Sequence, residues 1–168
     1  AQSLIRKTSL ALKLLQNQNT ISSIGPDKYH ISQGKLTLDL SDNMGLKDIS
    51  ALLELPIEEI NIDGTSVSNL HTLKNCGIKK LSTRNLDLDL QQLQGFQLSN
   101  LRLGYINDLS RLPLLPLKKL EMIHFSGSSL SPLNQFALDE LIITGGTTNL
   151  LPRGPIHLKG LEIQQFIS

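Results

Sequence analysis

The chain has 168 residues, which is one domain of ordinary size and is long enough to bury a hydrophobic core. Hydrophobic residues make up 39% and aromatic residues 4%, with no Trp, so the apolar content is mainly Leu and Ile and favours a repeated packing unit. Sixteen basic residues against fifteen acidic ones give a net charge of +1, which offers no reason to expect nucleic acid or an anionic membrane as a partner.

The first predicted element is a helix over residues 3–16, which the polar run 17–19 ends. The apolar residues of this segment fall on one stripe: Leu4, Ile5, Thr8, Ala11, Leu12 and Leu15. Gly25-Pro26-Asp27 then predicts a turn. We expect residues 1–34 to cap the open end of the repeats beyond them. The alternative is a linker or partner helix leading from an upstream domain.

From residue 35 onward, a six-residue phrase in which apolar and polar residues alternate recurs seven times. The copies occupy residues 35–40, 57–62, 78–83, 98–103, 117–122, 138–143 and 158–163, at steps of 19 to 22. Such alternation predicts half-buried β-strands, and strands recurring in one direction predict parallel pairing. The phrase is too short for the helices of an α-solenoid. The period fits leucine-rich repeats, which run over about 20–29 residues.

Apolar residues three apart come after four of the phrases. These are Leu46, Ile49 and Leu52; Val67, Leu70 and Leu73; Ile106, Leu109 and Leu112; Leu130, Leu133 and Phe136. This spacing predicts 3₁₀ or short helical turns on the return to the next strand. The predicted fold is therefore an α/β leucine-rich-repeat solenoid over residues 35–168. It has a curved parallel sheet of about seven short strands, a mostly irregular or 3₁₀ convex side and an N-terminal capping helix.

Leucine-rich repeats usually carry an Asn that hydrogen-bonds the backbone just after each strand. Here Asn43 holds that position first, and the next five repeats place Thr65, Leu86, Ile106, Phe125 and Gly146 there. Backbone groups at the bends must then find other partners, because an unpaired buried group costs about 1–3 kcal/mol. We expect an irregular coil with some bulging, most of all at residues 145–148.

The segments 46–52, 55–57 and 60–70 read LKDISAL, LPI and INIDGTSVSNL. They resemble the repeats of certain bacterial proteins, many of them serine/threonine protein kinases that carry such repeats C-terminal to the catalytic domain. The segment 12–42 is similar to the one that introduces those repeats, and the resemblance covers roughly residues 10–75. It implies an interaction domain associated with a kinase. The chain itself has no Gly-rich phosphate loop, H-R-D or D-F-G motif, so any kinase would lie outside it.

Residue patterns for catalysis or metal binding are weak. The four histidines lie in different segments with no ligand spacing: His30, His71, His124 and His157. Cys76, the single cysteine, excludes an intrachain disulfide and is expected to be a small buried apolar residue. No run of apolar residues approaches the roughly 20 needed to span a bilayer. The sequence thus predicts no enzyme, no cofactor and no membrane insertion.

The variable residues between the aliphatic ones are predicted to point outward, in three columns that run across the strands of a concave face. The candidate binding residues of these columns are Glu59, Asp63, Lys80, Arg84, Arg102, Lys119, Ile123 and Ile142. In the last strand we expect Glu162 in the second column and Gln164 in the third. Four neighbouring pairs have opposite charge: Glu59 with Lys80, Asp63 with Arg84, Arg102 with Glu121, and Lys119 with Glu140.

Two interpretations of this face remain open. The charges could form ion pairs that only keep the sheet soluble. They could instead border a groove with an apolar end that binds a peptide or protein, within a larger bacterial signalling protein. A structural alternative is a spacer that self-associates through an open C-terminal strand edge. The shortage of aromatic residues argues against carbohydrate or single-stranded nucleic acid. The sequence leaves open whether the chain is cytoplasmic or extracytoplasmic.

Overall fold

The computed structural model describes residues 2–85, 88–146 and 164–165. This part of the chain contains one α-helix, α1 (Gln2–Gln18), followed by eight strands in a single sheet. The strands are β1 (Tyr29–Ser32), β2 (Lys35–Asp39), β3 (Ile57–Asn61), β4 (Lys80–Thr83), β5 (Asn100–Ile106), β6 (Lys119–Phe125), β7 (Glu140–Ile143) and β8 (Gln164–Gln165).

The strands lie side by side in the order in which they occur in the chain. All pairs from β2 to β8 are parallel, as the repeated phrase predicts, and the sheet is open, with β1 and β8 at its two ends. The molecule is thus an α/β protein with one N-terminal helix and a mostly parallel sheet. The register predicted for the last strand is wrong by two residues: Ile142 pairs with Gln164 rather than with Glu162. The predicted copy at 158–163 lies outside the described residues.

The strand β1 was not predicted, and it pairs antiparallel with β2. Gln33 and Gly34 join the two strands in a two-residue turn, both with positive φ, 50° and 75°. Two central residues with φ > 0 match the right-handed twist of neighbouring strands, and glycine adopts this conformation without steric cost. The sheet therefore ends in one antiparallel strand at the N-terminal side, a departure from the all-parallel prediction.

The core lies between the inner face of the sheet and the segments that return to the next strand. Strand leucines such as Leu101 and Leu103 and return-segment residues such as Leu46 and Leu70 are buried in one cluster. The return segments contain 3₁₀ helices at Ser50–Leu52, His71–Asn75, Leu90–Leu93 and Ser131–Gln135.

Three of the four predicted 3₁₀ turns are thereby confirmed. The fourth, after Ile106, is a turn without a 3₁₀ helix, in which the N–H of Leu112 donates to the carbonyl of Leu109 at 3.0 Å. The helix Leu90–Leu93 was not predicted. Asp89, the residue before this helix, is its N-cap, and its side chain accepts a hydrogen bond from the N–H of Gln91.

The helix α1 is slightly longer at both ends than predicted, and its inner side packs against the core and the 3₁₀ helix Ser50–Leu52. Of the predicted stripe, only Ile5 is exposed. Asn19, just after the helix, accepts hydrogen bonds from the N–H groups of Lys47 and Asp48 at 2.9 Å. Its amide group donates to the carbonyl of Asp48 at 2.8 Å. The helix is therefore fixed to the return segment after β2, and its role as a cap stays a prediction.

The bends after the first strands are held by hydrogen bonds from side chains. Asn43 donates to the carbonyls of Leu40 and Ser41, and the hydroxyl of Thr65 donates to the carbonyl of Ile62 at 2.8 Å. Asn85 then donates to the carbonyl of Val67 at 2.7 Å and to Thr65. Leu86, which holds the asparagine position of that repeat, lies outside the described residues.

A different solution applies where Ile106 and Phe125 occupy the asparagine position. There β5 and β6 extend to seven residues each, and the pairing continues as far as Ile106 and Phe125. The N–H of Ser126 donates to the carbonyl of Ile106 at 2.9 Å, and the N–H of Phe125 donates to that of Gly145 at 3.0 Å. Strand pairing thus satisfies the backbone groups that an asparagine would otherwise bind.

A register irregularity of the expected kind lies between β2 and β3. The register shifts between Leu36 and Thr37, which pair with Ile57 and Glu59, so that one residue of β3 is inserted as a bulge. Of the segment 145–148, residues 147 and 148 lie outside the described residues.

Candidate binding site

The outer face of the sheet, opposite the buried leucines, carries the predicted columns. Cα pairing places the first column in register over Thr37, Glu59, Lys80, Asn100, Lys119 and Glu140. The second column runs over Asp39, Asn61, Ser82, Arg102, Glu121 and Ile142. These members of the two columns are confirmed, because a period of two fixes which residues face out and the repeat step fixes their neighbours.

All four predicted ion pairs are present on this face. Lys80 lies 3.1 Å from Glu59, and Lys119 lies 2.9 Å from Glu140. Arg84 lies 3.1 Å from Asp63, and the Nε of Arg102 donates to Glu121 at 3.0 Å. We call these eight residues, with Ser82, the paired-charge region.

Asp63 is the centre of the paired-charge region. Its side chain is only 3% exposed, which differs from the expected position on the surface of the columns. Arg84 and Arg102 both contact its Oδ2, at 3.1 and 3.3 Å, and the hydroxyl of Ser82 donates to its Oδ1 at 2.9 Å. Burying a carboxylate is costly unless it is paired and hydrogen-bonded, and these contacts satisfy both conditions. Asp63 therefore holds two arginines in place and is not itself open to a ligand.

The contact between Arg102 and Asp63 crosses a whole strand, since Arg102 is in β5 and Asp63 comes after β3. The arginine also contacts Glu121 of β6, so one guanidinium joins three strands. This link was not predicted from the sequence, because the periodicity of the strands identifies only residues that lie directly opposite each other on neighbouring strands.

The carboxyl ends of β5 and β6 carry a second surface of different character. Tyr105 of β5 is 64% exposed, and its ring lies against that of His124 of β6, with centroids 4.8 Å apart and planes at 33°. Ile123 precedes His124 and is half-buried. Ile142, also half-buried, lies one strand further, beside Glu121. We call Tyr105 and His124 the aromatic end.

A glycine next to the aromatic end brings two backbones close together. A Cβ atom on Gly104 would lie 2.8 Å from the Cα of Arg84, closer than real Cβ atoms come to a backbone atom. Gly104 thus leaves the third column without a side chain between Arg84 and Ile123. The exposed Tyr105 is the next residue in the sequence.

Sequence reasoning missed the Tyr105–His124 pair because the predicted strands stopped at residues 103 and 122. The available signal was the apolar residue three positions beyond each predicted strand end and the intervening Tyr105 and His124, but it does not determine strand length, since Leu86 is apolar as well. The other described histidines, His30 and His71, are exposed and lie in β1 and a 3₁₀ helix. His157 lies outside the described residues.

Cys76 is the remaining candidate for chemistry that the sequence offered. Cys76 is buried, as predicted, and burial raises the pKa of its thiol, which disfavours the reactive thiolate. Within residues 2–85, 88–146 and 164–165, no group of three or more His, Cys, Asp or Glu side chains is placed to hold a metal ion. The helix in the same part of the chain is too short and too polar to cross a membrane.

Asp39 lies at the β2 end of the second column, close to Lys28, with a distance of 3.2 Å between Nζ and Oδ2. Partial burial alone would raise the pKa of Asp39, but hydrogen bonds from Ser41 and the contact with Lys28 outweigh it and leave this pKa lowered. The carboxylate therefore stays charged to a lower pH than usual.

No family model, no curated protein and no solved structure matches this chain. The geometry of the outer face and the resemblance of the repeat phrase are thus the basis on which a function can be proposed.

Proposed function

We propose that this chain is a leucine-rich-repeat solenoid that binds a peptide or protein segment across the outer face of its sheet. The parallel strands at a period near 20, the 3₁₀ helices on the return segments and the phrase shared with bacterial repeats support this proposal. Such a module presents a row of variable side chains on a stable frame and carries out no reaction.

The observation that carries the proposal is the exposure of Tyr105. The ring is 64% exposed in a chain with only two tyrosines and no tryptophan, and its neighbour His124 holds it from one side. Tyrosine is enriched, with tryptophan and arginine, among the residues that dominate the binding energy of protein interfaces, and it offers a large contact area with only two side-chain torsions. Tyr105 thus provides the anchor point at the carboxyl end of β5.

The paired-charge region has a secondary role in this proposal. Lys80, Arg84, Arg102 and Lys119 already have carboxylate partners, so a ligand would gain little by replacing them. These residues set the direction and specificity of a bound segment. The fitting ligand is a peptide with an apolar or aromatic side chain for the aromatic end and polar groups beyond it.

The test is selection of a phage-displayed peptide library against the intact chain. We expect enriched peptides that contain apolar or aromatic residues, and we expect Tyr105→Ala to weaken their binding by at least about tenfold, the loss of a hot-spot residue. The matched control is Leu114→Ala, at an exposed position of a return segment outside the aromatic end. Isothermal titration with the synthetic peptides gives the affinities.

Two results would contradict the proposal. One is an enriched peptide set that binds Tyr105→Ala as tightly as the unaltered chain. The other is a set whose binding is abolished by Leu114→Ala but not by Tyr105→Ala. Arg84→Glu with Arg102→Glu adds a further check, because a segment that crosses both regions should lose specificity when the central charges are reversed.

We also propose that this chain is part of a larger bacterial signalling protein. The resemblance of its repeats to kinase-associated repeats supports this. The test is the sequence of the full-length gene product. A Gly-rich loop with H-R-D and D-F-G motifs upstream of these residues is the expected result. A gene product without any signalling domain would count against it.

A structural spacer that self-associates is the second candidate. The observation in its favour is the pairing of all four cations of the candidate site, which leaves the paired-charge region without free charge for a ligand. Light scattering over a range of concentrations separates the two functions. A mass that grows with concentration favours the spacer, and a constant monomer mass excludes self-association.

A further inference from the structure

The N-terminal segment concentrates positive charge. Residues 1–26 contain Arg6, Lys7 and Lys13 and no Asp or Glu, so they carry +3. The remaining residues hold thirteen basic and fifteen acidic side chains and carry −2. The near-zero net charge of the chain thus conceals two parts of opposite sign.

The three cations lie on α1, outside its buried stripe. On the solvent side of this helix, Ile5, Arg6, Ser9, Leu10 and Lys13 line one shallow depression. Leu10 is 60% and Ile5 48% exposed, although both are large apolar residues. Residues 5, 9 and 13 and residues 6 and 10 are four apart, so they form adjacent rows along the helix.

Exposed apolar residues are concentrated on this helix. Of seven large hydrophobic side chains exposed in the described residues, three belong to α1: Ile5, Leu10 and Leu14. The buried positions of α1 already cover the core, so these three take no part in holding the helix on the sheet. Exposed Ile and Leu side chains beside Lys and Arg on one side of a helix offer the two kinds of contact, apolar and cationic, by which peripheral helices bind anionic lipid.

We propose that the solvent side of α1 docks onto an anionic lipid surface. Arg6 and Lys13 meet the headgroup phosphates, while Ile5 and Leu10 enter the boundary with the acyl chains. A nucleic acid would use the cations and leave the leucine exposed, whereas a lipid surface uses both. This contact is peripheral and needs no helix that crosses the bilayer. It is independent of the function proposed for the outer face.

The test is co-sedimentation of the intact chain with vesicles of phosphatidylcholine, alone or mixed with phosphatidylglycerol, at low and high salt. We expect binding to the mixed vesicles that falls as salt is raised. Lys13→Glu should lower the partition coefficient by at least about fivefold, the contribution of one cation near an anionic surface. Leu10→Ser should lower it by a similar factor at both salt concentrations, because it removes apolar contact. Circular dichroism and the urea midpoint show that each variant is folded.

The matched controls are Lys118→Glu and Leu114→Ser, which make the same changes at exposed positions outside α1. Both should bind as the unaltered chain does. The proposal is overturned if the unaltered chain does not sediment with the mixed vesicles at low salt, or if Lys118→Glu weakens binding as much as Lys13→Glu. Binding that depends on Lys13 but not on Leu10 also overturns it, since the surface would then suit any polyanion.

Discussion

The two parts of the candidate site differ in how far their side chains are already engaged. In the paired-charge region every cation has a carboxylate within 3.3 Å, and Asp63 is buried beneath two arginines. In the aromatic end, the ring of Tyr105 lies against that of His124, and Tyr105 is 64% exposed. A charged residue on the face of a sheet is therefore not always available to a ligand, because neighbouring side chains of opposite charge can already pair with it.

Both parts depend on the residues at the bend after each strand. Where Asn43 and Thr65 hold the bend, β2 and β3 end after five residues and the face consists of paired polar columns. Where Ile106 and Phe125 stand instead, β5 and β6 continue for seven residues. This extension brings Tyr105 and His124 into register.

The largest effect is expected from Leu101→Ala, which tests the strand register on which the whole comparison depends. Leu101 is 1% exposed in the core below β5, and its truncation should destabilise the chain by about 2–5 kcal/mol. Urea unfolding followed by circular dichroism measures the loss. Leu114→Ala, at an exposed position, should be nearly neutral. A nearly neutral Leu101→Ala would show that the inner and outer faces are assigned wrongly.

Asp63→Asn should break the centre of the paired-charge region. It leaves Arg84 and Arg102 without their shared carboxylate, and we expect a loss of about 1–3 kcal/mol in the free energy of unfolding. Glu58→Gln, at an exposed position, is the matched control and should change little. A loss no larger than that of the control would mean that the three-strand network adds nothing to stability.

Lys80→Ala removes an exposed ion pair at the rim of the same region. Both partners, Lys80 and Glu59, are about half exposed, so the expected loss is only about 0.2–1 kcal/mol and should shrink at high salt. A double-mutant cycle with Glu59→Ala measures the pair itself. A coupling as large as the effect of Asp63→Asn would remove the distinction between the centre and the rim of the region.

The smallest effect concerns pH at Asp39. Its pKa is lowered in the folded chain, so its contribution to stability is present above the pKa of the unfolded chain and is lost as pH falls through the lower, folded value. We expect Asp39→Asn to lose less stability than the unaltered chain when urea midpoints are compared between pH 5 and values below about 4. Parallel curves for the two proteins would show that Ser41 and Lys28 do not hold this carboxylate.

The sequence predicted the parallel strands, three of the 3₁₀ turns and the four ion pairs, since alternation and a step near 20 determine which residues are neighbours. It did not predict β1, because Gln33-Gly34 is outside the Asn-Gly and Asp-Gly pairs that mark two-residue turns. The link from Arg102 to Asp63 depends on the length of an arginine side chain, which periodicity does not contain. The predicted register of the last strand is wrong by two residues, a shift that keeps the same residues on each face, so alternation alone does not distinguish the two registers.

The composition of the whole chain does not show how its charge is distributed. A net charge of +1 suggested no preference for anionic surfaces, yet all the charge of residues 1–26 is positive. The net charge of the whole chain cannot show that positive residues are concentrated in one segment. A sum taken for α1 alone would have revealed it.

The hairpin of β1 and β2 also bears on the order in which the sheet assembles. Its paired residues Ser32 and Lys35 are three apart in the chain, whereas Thr37 and Glu59, the first regular pair of the parallel sheet, are 22 apart. Short loops close at a smaller entropic cost, and hairpins form within about 1–10 μs. The Gln33-Gly34 turn is therefore where we expect strand pairing to begin. Each later strand then adds to an edge that already exists, which gives the folding pathway a direction along the chain.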